Sequence, residues 1–596
     1  MIKKLMLASC LVMVIASCKN DTKETEQSST EDVTAAFNAM LDDYYEEGLV
    51  LNPIMATMVG DNRYNDQFPN ILSDEWNNAA KAYYEKFQKR VSEFNDNDLT
   101  ETEKMTKAVL KWECDINLEG FNYGQDLRPI DQMWSPHLFV GQLASGASMQ
   151  PFVTVEDYQN WLSRLDGYTD WLHSAEAKMR KGMELGNVLP KSLIVKVLPQ
   201  LESATTTNLD EHLFYTPVKN MPDDFSDEDK AMLTEAYTEK LTQKVIPAYQ
   251  SLHDLMSNEY MAAGRESSGI NDIPNGEAFY NYMIKQFTTT TMTANEIHEL
   301  GLSEVARIRS EMEKIKEEVG FTGTLTEFFD YVRENKELMP YNDPQQVIDN
   351  FYAIHERMIP QLEKLFDNKP KTPFEVRRVE AFREKTSAAH YNPGSLESDR
   401  PGIFYVPIPE VTQYNVHQDE TLFLHEAIPG HHYQIAMTQE NEELPDFRKN
   451  LFYSGYGEGW ALYAESLGKE LGLYTDPYQY FGTLAAEMHR AIRLVVDTGM
   501  HSKGWSREQA IQYSLDNESE SEASIISEIE RYMAMPGQAL SYKIGQLKIR
   551  ELRDKAQAEM GDNFDIGQFH NEILEVGCVP LALLEDKINK WIEDNK

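Results

Sequence analysis

The sequence predicts a mainly α-helical protein with a small β-sheet, and three observations carry that expectation. Asp229 to Met261 keeps a helical pattern long enough for one or two long helices. Thr293-Ala294-Asn295-Glu296 is a capping-box sequence, and Val305, Ile308, Met312 and Ile315 lie along one face of the helix it opens. There is no regular series of alternating strands. One exception, Gly402-Ile403-Phe404-Tyr405-Val406-Pro407, is short, β-branched and aromatic, bounded by prolines, and reads as an edge strand. An edge of that kind can receive an extended peptide by strand addition.

With 596 residues and 41% hydrophobic content the chain can bury a large core, and its length is that of two to four domains. It carries 56 Lys+Arg against 98 Asp+Glu, a formal net charge of -42. A field of that sign repels phosphate backbones and anionic lipid, which argues against nucleic acid as a partner. No internal repeat and no Gly-rich phosphate loop is present.

The first residues read as a targeting signal. Lys3 and Lys4 precede a mostly apolar run from Leu5 to Ala16, too short to span a bilayer. The ending Ile15-Ala16-Ser17-Cys18 resembles a bacterial lipoprotein box, which implies removal of residues 1–17 and acylation of Cys18. The protein is then expected in the cell envelope, lipid-anchored to a bacterial membrane, the outer one by preference, facing the periplasm or the surface. Residues 18–34 are polar and read as a flexible tether. Residues 35–596 form the helical body, with an N-terminal lobe over about 35–275 and a second lobe over about 276–596. Cys114 and Cys578 are too far apart in sequence to form a disulfide framework or zinc-site spacing, and whether they pair stays open.

The segment Thr421 to His432 carries the chemistry. Asp419 and Glu420 suit the first turn of a helix that ends in His425-Glu426-Ala427-Ile428-Pro429-Gly430-His431-His432. In His-Glu-x-x-His the two imidazoles sit one turn apart and share a metal, while the Glu faces the attacking water. Here His431 is six residues after His425, about 240° around a regular helix. Pro429 removes a backbone N–H and its ring clashes with the His425 carbonyl, so the helix should break and return a histidine towards His425. His431 is the nearer and follows a glycine, which makes it the expected second ligand; His432 is the alternative, otherwise beside the ligands or facing substrate. Glu458, in Gly457-Glu458-Gly459-Trp460, is the expected third ligand, and Glu465, two turns later on the same face, can orient a ligand histidine. Two His and one Glu with a position left for water is a catalytic zinc arrangement for one ion, although other divalent ions fit the same donors.

Further along, Gln538, Tyr542 and Gly545 share a face of a helix expected to start near Pro536. Tyr542 is the first candidate for steadying an oxyanion and Tyr532 the second. His489, Arg493 and Asp497 recur at four-residue steps; Arg493 and Asp497 are expected to form a buried ion pair, the alternative being a clamp on a substrate carboxylate. Arg400, just before the expected edge strand, is another possible carboxylate contact.

The stretches HEAIPGHHYQ, EGWALYAE, RAIRLVVDTGMH and RYMAMPGQALSYKIG, together with Asp399-Arg400-Pro401-Gly402 and the HELGLSEVARI segment from His298 to Ile308, resemble a bacterial family catalogued as domain of unknown function 885. The resemblance runs through most of the mature chain. That family is grouped with the zincin metallopeptidases, so the resemblance implies a helical zincin-like (gluzincin) fold with a deep cleft. The expected function is zinc-dependent hydrolysis of peptide bonds in small peptides, with Glu426 as general base. The alternatives are a non-catalytic helical envelope binding lipoprotein and a metal-dependent amidase acting on non-peptide amides. Exopeptidase or oligopeptidase action, substrate sequence and oligomeric state are left open.

Overall fold

A computed structural model of the chain describes residues 30–146, 148–380, 384, 387–394 and 400–596. The expected signal segment, Cys18 and most of the expected tether lie outside the described residues. A helix over Thr30–Leu51 begins within the stretch expected as tether. Asp32 suits a helix's positive N-terminal end, and Val33 packs against the core.

Among the described residues the protein is mainly helical, with a single three-stranded sheet. Among these residues no helix is long and apolar enough to cross a membrane. The helical pattern from Asp229 becomes the helices Asp227–Lys240 and Ile246–Leu255, joined by a wider turn over Leu241–Val245. The capping box at Thr293 forms as the spacing requires: Thr293 Oγ1 accepts from the Glu296 N–H and Glu296 accepts from the Thr293 N–H. It opens helix α1, Ala294–Glu318. One apolar cluster joins residues such as Phe37, Phe87 and Val109 to Trp460, Ile544 and Leu584, so both sides of position 275 share a core. A second cluster, around Trp161, Trp171, Tyr168 and Tyr249, fills the helices between about 130 and 261. Cys114 and Cys578 are buried and unpaired with each other.

The sheet consists of β1 (Phe374–Arg378), β2 (His390–Asn392) and β3 (Gly402–Val406), in the order β1-β3-β2. β3 runs parallel to β1, with Phe374 opposite Gly402, and antiparallel to β2, with His390 opposite Tyr405. The segment expected as an edge strand is therefore the central one. Its apolar side chains are buried on both faces, Phe404 completely, as a run without polar alternation requires. The flanking prolines delimit it without interrupting its ladders. An edge is supplied instead by β2, whose sequence His-Tyr-Asn is too short to announce itself.

Six further helices place the residues of interest: α2 (Asp419–Glu426), α3 (His431–Glu440), α4 (Ser454–Ser466), α5 (Pro477–Lys503), α6 (Glu522–Ala534) and α7 (Ser541–Met560). α7 starts five residues after Pro536, and a 3₁₀ turn over Gln538–Leu540 fills most of the gap. α4 and α7 cross at two glycines. A Cβ on Gly545 would lie 1.8 Å from the Gly455 carbonyl oxygen, and one on Gly459 would lie 2.5 Å from Gly545 Cα. Only bare backbone permits that approach, and it brings the start of α7 beside Glu458 on α4. Beneath it the buried Lys543 ammonium meets Glu304 of α1 at 2.9 Å and Glu487 of α5 at 2.6 Å.

Candidate metal centre

α2 is tied down at its start by buried carboxylates that the sequence placed in its first turn. Asp419 accepts from Asn350 Nδ2 at 2.7 Å and from the Tyr414 hydroxyl at 2.8 Å, and burial still pushes its pKa up to about 7. Glu420 pairs with Arg357 at 2.7 Å and accepts from the Tyr474 N–H at 2.6 Å. The helix stops at Glu426, and α3 starts at His431, on either side of the break expected at Pro429. Gly430 is needed there for space rather than for a left-handed backbone, since its φ is -72°. A Cβ on it would lie 2.0 Å from the His425 carbonyl oxygen and 2.3 Å from that of Leu424. The Trp460 indole N–H donates to the Pro429 carbonyl at 2.9 Å, fixing the turn against α4.

This break brings His425 and His431 together, with ring centroids 4.9 Å apart and planes at 88°. Glu458 Oε2 lies 3.6 Å from the Nε2 atoms of both histidines. One ligand atom from each of the three residues falls within 4.8 Å of the other two. Glu458 Oε2 is buried and has no hydrogen-bond donor of its own among the described residues. Burial would hold His425 down, but Glu458 and Glu465 reverse this and raise its pKa to about 10, while the two imidazoles hold Glu458 well below the usual carboxylate range. A buried carboxylate without a donor, facing two imidazole nitrogens, fits a single divalent cation of the zinc class.

The remaining expected residues separate into those that line the same cleft and those that do not. Glu465 accepts from His425 Nδ1–H at 2.7 Å and from the Thr421 hydroxyl at 2.9 Å, which leaves His425 Nε2 as the free donor atom towards Glu458. Glu426 and Tyr542 line the open cleft of about 560 Å³ that contains the three-residue group. His432 is turned away: its Nδ1 meets the Tyr391 hydroxyl at 2.9 Å, its ring packs on Phe374, and burial lowers its pKa to about 4. Tyr532 is buried beneath the cleft, its hydroxyl donating to Glu528 at 2.7 Å and accepting from Arg493 Nε at 2.9 Å. Gln538 accepts from Arg531 at 2.6 Å. Arg400 is exposed and does not line the cleft.

The expected Arg493–Asp497 ion pair does not form. Arg493 pairs with Glu528 of α6 at 2.9 Å. Asp497 accepts from the Tyr280 hydroxyl and the Gly537 N–H, and burial pushes its pKa up to about 7. A carboxylate from a different helix outcompetes the one on the same helix, which spacing along one chain segment cannot show.

Sequence reasoning missed the far wall of the cleft. Ala388, Ala389, His390 and Tyr391 line it from β2 and the residues before it; Arg490, Glu528 and Arg531 line it from α5 and α6; Phe452, 52% exposed, lines it from the loop before α4. Arg490 and Arg531 stand within the stretches RAIRLVVDTGMH and RYMAMPGQALSYKIG, but nothing in their spacing indicated that they line the same cleft.

Solved structures share this fold, among them two lipoprotein candidates. A candidate lipoprotein from Colwellia psychrerythraea superposes with a TM-score of 0.87 at 28% identity, covering 94% of this chain and 100% of that one. A candidate lipoprotein of unknown function from Shewanella oneidensis superposes with a TM-score of 0.73 at 18% identity, covering 92% and 99%. No curated protein matches the chain. A family model described as "Bacterial protein of unknown function (DUF885)" matches residues 53–588. The chain belongs to this DUF885 family of bacterial proteins.

Proposed function

We propose that the chain is a metal-dependent hydrolase that cleaves peptide bonds of small peptides in the cell envelope, with His425, His431 and Glu458 holding one zinc-class ion. The observation that carries the reading is the convergence of these three donors beside Glu426 on an open cleft. A divalent ion held by His425, His431 and Glu458 would supply Lewis-acid chemistry, polarising a carbonyl and acidifying a water. Glu426, which lines the same cleft, would take a proton from such a water and return it to the leaving amine. Glu465 holds His425 in the tautomer that offers Nε2 to the site. Tyr542 faces the same cleft with its hydroxyl available to an oxyanion, whereas the Tyr532 hydroxyl is already engaged on both sides. The cleft volume of about 560 Å³ suits a few residues of peptide and not a folded protein.

The lipoprotein-like ending Ile15-Ala16-Ser17-Cys18 supports a lipid anchor at Cys18, as does the fold shared with two candidate lipoproteins. The test uses the protein from residue 19 onward with a mixed peptide library, with and without chelator, the products read by mass spectrometry. Cleavage that chelator abolishes and added zinc restores is the expected result. Cleavage of non-peptide amides alone would turn the reading to an amidase, and no turnover with tight ligand binding would turn it to a binding protein. Glu426→Gln should keep the metal while turnover falls by about 10²–10⁴-fold; turnover at the wild-type rate would refute Glu426 as the base.

A further inference from the structure

The cleft that contains the three donors is also lined by charge. Arg490, Arg493 and Arg531 line it together with Glu520 and Glu528. His489 also lines it but is matched by Glu518, 2.5 Å from its Nδ1. Glu426 and Glu458 line the same cleft, so its charges are of both signs, and what distinguishes the arginines is their hydrogen bonding.

Arg493 is 6% exposed, and most of its donors are spoken for. Nε donates to the Tyr532 hydroxyl at 2.9 Å, and Nη2 donates to Glu528 at 2.9 Å and lies 3.1 Å from His489 Nε2. Nη1 has no partner among the described residues, and neither does Nε of Arg490, three residues earlier on α5. Arg531, by contrast, spends its fork on Glu528 and Gln538. The Arg493 guanidinium also lies 4.6 Å from the centre of the Tyr542 ring, and the charge of Arg490 reaches Glu465, the partner of His425. Buried guanidinium N–H groups are costly when left unpaired and bind carboxylates strongly when paired.

We propose that Arg493, assisted by Arg490, binds a carboxylate of the peptide that enters this cleft. The group is supplied by the peptide's C-terminus or by an acidic side chain near it. The inference rests on the peptidase reading for its consequence, cleavage close to the bound carboxylate, but the binding itself needs no metal and no turnover.

The test uses metal-free protein and three N-terminally labelled tetrapeptides: one ending in alanine with a free acid, the same peptide as its amide, and an amide ending in glutamate. Affinities are read by fluorescence anisotropy. A preference of about tenfold or more for the free acid over the alanine amide supports the inference and assigns the C-terminus. A comparable preference for the glutamate amide supports it and assigns the side chain. Equal affinity for all three overturns it. Arg493→Gln should erase the preference; Arg493→Lys should keep part of it. Arg490→Gln, at a partly exposed position outside the Tyr532–Glu528 network, should weaken it even if Arg493 variants fail to fold. Acid-selective binding without cleavage by the metal-loaded protein would retire the peptidase reading alone. Cleavage with no carboxylate preference would retire this inference alone.

Discussion

Replacing Glu465 by glutamine isolates the contribution of one charge to the proposed metal centre. The Glu465 carboxylate accepts from His425 Nδ1–H at 2.7 Å and is itself held by the Thr421 hydroxyl. An amide oxygen can occupy the same place and accept the same hydrogen bond, so the ring orientation should survive. What disappears is the charge. A hydrogen bond to a charged group contributes about 1.5–3 kcal/mol and a neutral one about 0.5–1.5 kcal/mol. The difference, about 1–1.5 kcal/mol, corresponds to roughly a tenfold loss of zinc affinity. Glu465→Ala, which also frees the ring, should lose up to about 100-fold. The assay is competition for zinc against a chromophoric chelator at fixed pH, with folding checked by circular dichroism. Unchanged affinity in both variants would refute the claim that Glu465 sets the donor atom of His425. A loss in Glu465→Gln equal to that in Glu458→Ala would also refute it, since only Glu458 is argued to touch the ion.

Tyr542→Phe should lower kcat by about 10²–10³-fold with little change in KM, the usual effect of deleting an oxyanion donor, while Tyr532→Phe should act mainly on stability; steady-state kinetics and melting temperatures separate the two. Gly430→Ala forces a Cβ to 2.0 Å from the His425 carbonyl oxygen. It should cost about 3 kcal/mol or more and displace His431, read as lost zinc affinity and a lower denaturant midpoint. Acid should destabilise the protein through buried neutral histidines. Burial lowers the folded pKa of His501 and of His570 to about 3. Their ring nitrogens are occupied by Ile270 N–H and Tyr532 O in one case and by the Tyr463 hydroxyl and Leu365 O in the other. The unfolded chain takes up these protons near pH 6.5 and the folded one only near 3, so the stability they confer is complete above pH 6.5 and is lost as pH falls towards 3. At pH 5 each accounts for about 2 kcal/mol. His570→Asn should show a shallower fall of the denaturant midpoint between pH 6.5 and 5 than the wild type; an identical slope would refute the assignment.

The helical class, the capping box at Thr293 and the helix break at Pro429 were all legible, because each follows from local rules acting within a turn or two of chain. A proline's missing N–H and a threonine's side-chain oxygen act on neighbours in sequence. The donor group was partly legible for the same reason: once the break was expected, His425 and His431 were within reach of each other, and Glu458 and Glu465 shared a face by helical arithmetic. Partners set by packing were not legible. Arg493 has Asp497 one turn away, yet it pairs with Glu528 because α6 lies over it, and Asp497 turns to Tyr280 and Gly537 instead. β3 looked like an edge from its prolines, yet it is central because β1 and β2 arrive from residues 374 and 390 on either side.

By itself, then, the chain's order of residues determined where helices start, stop and bend, and which polar groups each helix can present on one face. The tertiary structure alone decided which of those faces meet. It brought α7 against α4 through Gly459 and Gly545, chose His431 over His432 for the group with Glu458, and left an N–H of Arg493 without a partner among the described residues. The physical reason is range: backbone hydrogen bonding and side-chain sterics act between near neighbours, whereas burial and charge pairing are settled between segments tens of residues or more apart in the sequence.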